Sequence, residues 1–169
     1  GQIDLKGRFN FISKTPSANL IATIRHLNPS RLNISHQWPG TTFDFNLAAD
    51  FEGKTLNTAI GKIDLTDFSM KSENRTYTLS AFKLKAINEG KARVLTLNSD
   101  FGNLTVNGKY DYTTLAQSFI NLVGSKLPTL PGLPRLTKTV QNDFAVNATI
   151  TRSDWLQQLF DIPLELRKP

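Results

Sequence analysis

In a chain without cysteine, chemistry falls to histidine, carboxylate, hydroxyl and cationic side chains, and here none of them stands in a catalytic spacing. His26 and His36 lie ten residues apart, neither in a metal-ligand spacing nor beside a candidate nucleophile. Asp44 and Asp50 fall on the polar side of one strand pattern, and Asp64, Asp67 and Asp100 lie near strand ends. Paired carboxylates could cleave glycosidic bonds, but nothing singles out a pair, and a solvated face accounts for them better. The glycines of GKIDL and NGKYDY open no phosphate loop and no dinucleotide fingerprint. The residues therefore predict a protein that is not an enzyme and uses no metal or cofactor.

Charge and composition narrow the remaining classes. The 169 residues carry a net charge of +6 and a pI near 9.7, which permits contact with nucleic acid, anionic lipid or lipopolysaccharide without requiring any of them. Lys83, Lys85, Lys91 and Arg93 fall on adjoining strand patterns and could form a basic patch. They lack an aromatic platform on the same face, because Phe82 and Phe101 alternate against them, so no nucleic-acid partner is expected. The absence of cysteine removes zinc ribbons, thiol catalysis and disulfide scaffolds. Asn-x-Ser/Thr triplets at Asn33, Asn74, Asn103 and Asn147 would be glycan acceptors only in a secreted eukaryotic protein. No run of about twenty apolar residues occurs, and the first residues lack a signal-peptide layout. The sequence begins inside a strand pattern, so it reads as one β-rich module, 1–169, of a longer chain.

The elements that must position these groups are mainly strands. Phe43, Phe45, Leu47, Ala49 and Phe51 are apolar at every odd position, with Asp44, Asn46 and Asp50 between them. Ile63 and Leu65 keep that alternation until Asp67, where Phe68 and Met70 change parity, predicting a bulge. A second slip, at Ala81–Phe82, predicts another. Tyr77, Leu79, Phe82, Leu84, Leu95, Leu97 and Phe101 continue the pattern through a hairpin at Asn88–Gly90, giving an antiparallel meander.

Three stretches read as strands that run into helices. Leu104–Val123 alternates through Val106, Tyr110 and Tyr112, then offers Thr114 and Gln117 as a capping box, a stripe containing Leu115 and Phe119, and Gly124 as a stop. Ala18–Ile34 runs into Asn28 as cap and Pro29 as first helical residue. Phe144–Ile150 leads to Ser153 and a stripe of Trp155, Leu156, Leu159 and Phe160. Between them, 125–142 is a proline-rich connection in which Leu127, Leu130, Leu133 and Leu136 recur at polyproline spacing and form a lid candidate over an apolar surface. The alternative for that segment is a long connection packed on the sheet edge.

With some eight strands each offering about four inward residues, the sheet presents a long apolar surface. Pattern alone leaves open whether it is an ordinary core or a surface that holds something apolar. ATIRHLNPSRLNI, FDFNLAADFEG, TLNSDFGNLTVNGKYDYTTLAQSFINLVGSKLPTL and NDFAVNATITRSDWLQQLFDIPLEL, in that order, resemble the TamB family in its Bacteroidetes form, near its C-terminus. The resemblance spans nearly the whole chain. It implies a curled antiparallel sheet, a taco-like, U-shaped trough with two or three short helices at strand ends. It also implies a periplasmic, inner-membrane-anchored protein that moves phospholipid between membranes and assists outer-membrane protein assembly. Its partners would be phospholipid acyl chains, an outer-membrane barrel of the Omp85 type and adjacent segments of the same chain. The residues expected to line the groove are Phe43, Phe45, Leu47, Phe51, Leu79, Leu95, Leu97, Val106 and Tyr110. A scaffold for unfolded outer-membrane strands, or a structural spacer, is the alternative.

Overall fold

A computed structural model describes residues 1–34, 38–126 and 141–152. Alternating apolar and polar residues put the chain into eight strands: β1 (Gln2–Asn10), β2 (Ser17–Leu27), β3 (Thr42–Glu52), β4 (Ile60–Lys71), β5 (Thr76–Glu89), β6 (Ala92–Ser99), β7 (Gly102–Lys109) and β8 (Asp143–Ile150). They form one antiparallel sheet in sequence order, each strand paired to the next, and the sheet is open because β1 and β8 do not pair. The expected meander is therefore present. A 3-10 turn at Leu56–Thr58 and helix α1 (Tyr112–Lys126) complete the described elements.

The register carries apolar rows across the whole sheet. Phe9, Ala18, Phe51, Gly61, Ala86, Leu95, Val106 and Val146 stand directly opposite one another, one from each strand. The next row is Gly7, Leu20, Ala49, Ile63, Leu84, Leu97, Leu104 and Ala148. A one-residue slip in any strand would turn these side chains to the polar face, so the rows fix the register. Burial is uneven over this apolar face. Ala22, Ile24, Met70, Leu79, Ala86 and Val106 are buried, while on edge strand β1 Ile3, Leu5 and Phe9 stay more than half exposed, at 55%, 61% and 57%.

A line of irregularities crosses the sheet between its two ends. The register shifts between Ile24 and Leu27 on β2 and between Asp44 and Asn46 on β3, and His26 and Asp67 there have left-handed φ of 53° and 52°. Polar side chains stitch the line. Arg25 donates to the Phe45 carbonyl at 3.1 Å and to Asn46 Oδ1 at 2.8 Å, and Asn46 Nδ2 donates to Asp67 Oδ2 at 2.8 Å. The bulge expected at Asp67 is thus found. The one expected at Ala81–Phe82 takes another form: β4 and β5 stay in one register through Thr66–Ala81 and Phe68–Leu79, so the slip in β5 keeps step with the bulge in β4.

The expected helices fare differently. Helix α1 starts at Tyr112, so Thr114 lies inside its first turn, where its hydroxyl donates to the Asp111 carbonyl at 3.3 Å and does not cap the end. The helix also continues through Gly124 to Lys126. Over the described residues 28–34 that follow β2 the chain makes turns and no helix. Asn28 Oδ1 accepts the Arg31 N–H at 3.0 Å, but Asn33 at φ 60° ends the coil within one turn. The helix expected from Ser153, and the lid candidate Leu127, Leu130, Leu133 and Leu136, lie outside the described residues.

Candidate functional site

The nine residues expected to line a groove all fall on the apolar face, but at different levels of it. Beyond the bulge line, Phe68 lies 6.1 Å from Phe43 and 6.3 Å from Phe45 between ring centroids, and Trp38 meets Phe43 edge-on at 5.6 Å. Phe43 is paired in register with Met70, and Phe68 with Leu79, so this level is a dense aromatic cluster. Leu47 and Leu97 sit half-buried nearer the middle, opposite Leu65 and Leu84.

At the far level the face is not filled. Phe51, Leu95 and Val106 line a cavity of about 500 Å³ together with Ile63, Leu84 and Leu104 from the sheet. Leu56 and Ala59, from the 3-10 turn and its end, and Tyr112 and Leu115, from α1, also line it. Asn57 Oδ1 accepts the Tyr112 N–H at 2.8 Å, which ties the start of the helix to that turn. Ala86, a small residue of this row, lines the cavity where a larger side chain would fill it. Ile63, Leu84 and Leu104 belong to the second apolar row and are legible from strand parity alone. The turn at Leu56 has no such signal, because nothing local says which part of the sheet it covers.

Tyr110, the last of the nine, closes one end of this region. It is only 4% exposed, its ring meets Tyr112 and Phe144 edge-on at 5.6 and 6.0 Å, and its hydroxyl donates to the Val106 carbonyl at 3.4 Å. Burial pushes its hydroxyl up to about 12, and burial also raises that of Tyr112, against the opposing pull of Arg93. Both phenols are therefore neutral at physiological pH.

Arg93 differs from the place its sequence neighbourhood suggests. It pairs in register with Asn88 and Gly108, on the face of Leu95 and Leu84, whereas Lys83 and Lys85 belong to the other face. It does not join them in a basic patch; strand parity separates them. Its Nη1 donates to the Tyr110 carbonyl and to Asp111 Oδ1, the latter at 3.2 Å, and its guanidinium carbon lies 5.6 Å from the Tyr112 ring centroid.

His26 is exposed, with Nδ1 3.7 Å from Asp44 Oδ1, and His36 lies outside the described residues. Among the described residues no three metal-ligating side chains converge. What the arrangement can do chemically is hold an apolar group against the sheet beneath α1, with Arg93 stacked on the lining residue Tyr112. No protein-family model, no curated protein and no solved structure matches the chain.

Proposed function

We propose that this chain is a non-catalytic module of a periplasmic, inner-membrane-anchored protein, and that its sheet curls into a U-shaped trough along which phospholipid acyl chains pass between the inner and outer membranes. The supporting observation is the pair of apolar rows that run through all eight strands, together with the exposed Ile3, Leu5 and Phe9 on β1 at the edge of the same face. A closed core would cover that edge. Each methylene laid on such a surface gains about 0.8 kcal/mol, so repeated shallow contacts would favour transit over storage. On this reading the chain works beside adjacent segments of the same protein and an outer-membrane barrel of the Omp85 type, in outer-membrane protein assembly as well as lipid movement. Helix α1 and the turn at Leu56 make this stretch a partly covered part of the trough.

The edge of β1 favours a second reading. All nine of its residues are exposed and its outer side pairs with no described strand, so an unfolded outer-membrane strand could add there by β-augmentation.

A photoreactive residue placed at Phe45 or Leu97 separates the two. The trough reading expects lipid cross-linked at both positions in cells, and phospholipid in extracts of the purified protein by mass spectrometry. Capture of polypeptide at β1 with no lipid at Phe45 or Leu97 would replace it with the scaffold.

A further inference from the structure

The apolar face carries one charged side chain at a paired strand position among the described residues, Arg93, and its placement is specific. It stands in the row Asn88, Arg93, Gly108 and Phe144, next to the row whose Ala86, Leu95 and Val106 line the cavity. It is stacked at 5.6 Å over Tyr112, which lines that cavity. Only Nη1 is engaged, by the Tyr110 carbonyl and Asp111; Nε and Nη2 make no hydrogen bond among the described residues. The Tyr112 hydroxyl is buried beside that of Tyr110, with no hydrogen bond of normal geometry to satisfy it. On the other side of the aromatic pair lies a polar recess of about 260 Å³, lined by Lys91, Arg93 and Lys109 against one carboxylate, Asp111. Arg93 is ion-paired with that carboxylate at 3.2 Å, while Lys91 and Lys109 make no ion pair among the described residues, so the recess keeps an excess of positive charge.

An apolar cavity with a half-used guanidinium stacked on one of its lining rings, Tyr112, is complementary to an alkyl chain that terminates in an anion. Resting on the trough reading above, we propose that the corner of Arg93, Tyr110 and Tyr112 selects amphiphiles by head charge. A single chain lies in the cavity, and its phosphate or carboxylate accepts hydrogen bonds from the free donors of Arg93. The planar fork of arginine suits either oxyanion in bidentate geometry, and its aromatic stacking keeps it oriented while the site is empty. Asp111 competes with the ligand for the same guanidinium.

Competition against a neutral solvatochromic dye tests this, with an alkyl phosphate, a fatty carboxylate and a neutral monoacylglycerol of equal chain length, all below their micellar concentrations. Both anionic amphiphiles are expected to bind about tenfold or more tighter than the neutral one, the value of a charge-assisted hydrogen bond. Arg93→Gln should bring the ratio to about one without loss of the neutral probe, and Asp111→Asn should widen it. Because Asp111→Asn strengthens binding, its effect cannot be mistaken for misfolding. Equal binding of charged and neutral probes, unchanged in both variants, overturns head selection and leaves the trough reading standing. Inorganic phosphate competing as well as the alkyl phosphate overturns the amphiphile in favour of a plain anion site. Failure of every amphiphile to displace the dye removes both readings.

Discussion

The Asp100 carboxylate accepts the Ser80 backbone N–H at 2.7 Å, from just past the end of β6 to a residue of β5 that β6 does not pair. Its other oxygen takes the Ala81 N–H at 3.2 Å, so a side chain replaces the ladder where the sheet slips phase. The Ser80 hydrogen bond is the main cause that holds the Asp100 carboxyl below its ordinary value of 3.8, against a smaller opposing effect of burial. A group whose folded-state pKa is depressed stabilises the fold above its unfolded value and loses that contribution as pH falls through the folded value. Asp100→Ala should therefore cost about 1 kcal/mol at neutral pH, discounted for the site's exposure to solvent. Urea titrations of both proteins should show that gap closing under acid conditions; a gap independent of pH would mean that the carboxylate charge contributes nothing.

Asp67 offers a test of the bulge line itself. At φ 52° it occupies the left-handed region, and its carboxylate accepts Asn46 Nδ2. Asp67→Asn should be nearly neutral, because asparagine tolerates that backbone. Asp67→Val should cost about 1–2 kcal/mol, since a β-branched residue does not. The readout is the denaturation midpoint at unchanged slope. Equal stability of the two variants would show that the bulge is not a fixed feature.

Much of this sheet is legible in the chain because strand parity is a strict signal. Phe43 to Phe51 keep one parity without a break, and the change at Asp67 marks a bulge that is present. The matching bulge on β2 is written the same way, in the step from Ile24 to Leu27, yet the intervening Arg25–His26 reads as an ordinary polar pair. Parity also places Arg93 on the apolar face, against the pull of reading Lys83, Lys85 and Arg93 as one patch. Longer connections are another matter. That Asp100 caps Ser80, or that Asn57 holds Tyr112, depends on where two chain segments meet, and no local pattern records it. Thr114 and Gln117 form a good capping box in isolation, whereas α1 begins at Tyr112, whose N–H is taken by Asn57 from a distant turn.

Gly61 pairs with Phe51, and at φ 152° a Cβ there would lie 2.1 Å from the Asp50 carbonyl oxygen. That neighbour is backbone and cannot rotate away. Gly61→Ala should cost on the order of 2–4 kcal/mol and loosen the β3–β4 pairing. Gly90, in the β5–β6 turn at φ 62°, meets nothing within 4 Å, so Gly90→Ala should cost only about 1 kcal/mol of backbone strain. Thermal unfolding of the two variants should rank them in that order, with slowed hydrogen exchange across β3 and β4 lost in the first alone.

Leu47 decides between a trough and a closed core. It is half-buried, opposite Ala22 and Leu65 on the apolar face. In a closed core, Leu47→Asp leaves an unpaired carboxylate away from water and the domain unfolds, because such a group costs several kcal/mol at the least. On a face that opens to solvent when no lipid is present, the carboxylate stays hydrated and the fold survives, but an acyl chain can no longer pass over it. The trough reading expects circular dichroism and a cooperative urea transition close to those of the parent chain, together with loss of lipid capture at Phe45. Ala86→Leu supplies the complementary case at the cavity. Ala86 is 7% exposed and lines the space under α1, so a larger apolar side chain fills that space without adding charge. It should block amphiphile binding there while leaving capture at Phe45 intact. Unfolding of Leu47→Asp together with undiminished amphiphile binding by Ala86→Leu would assign the face to an ordinary core.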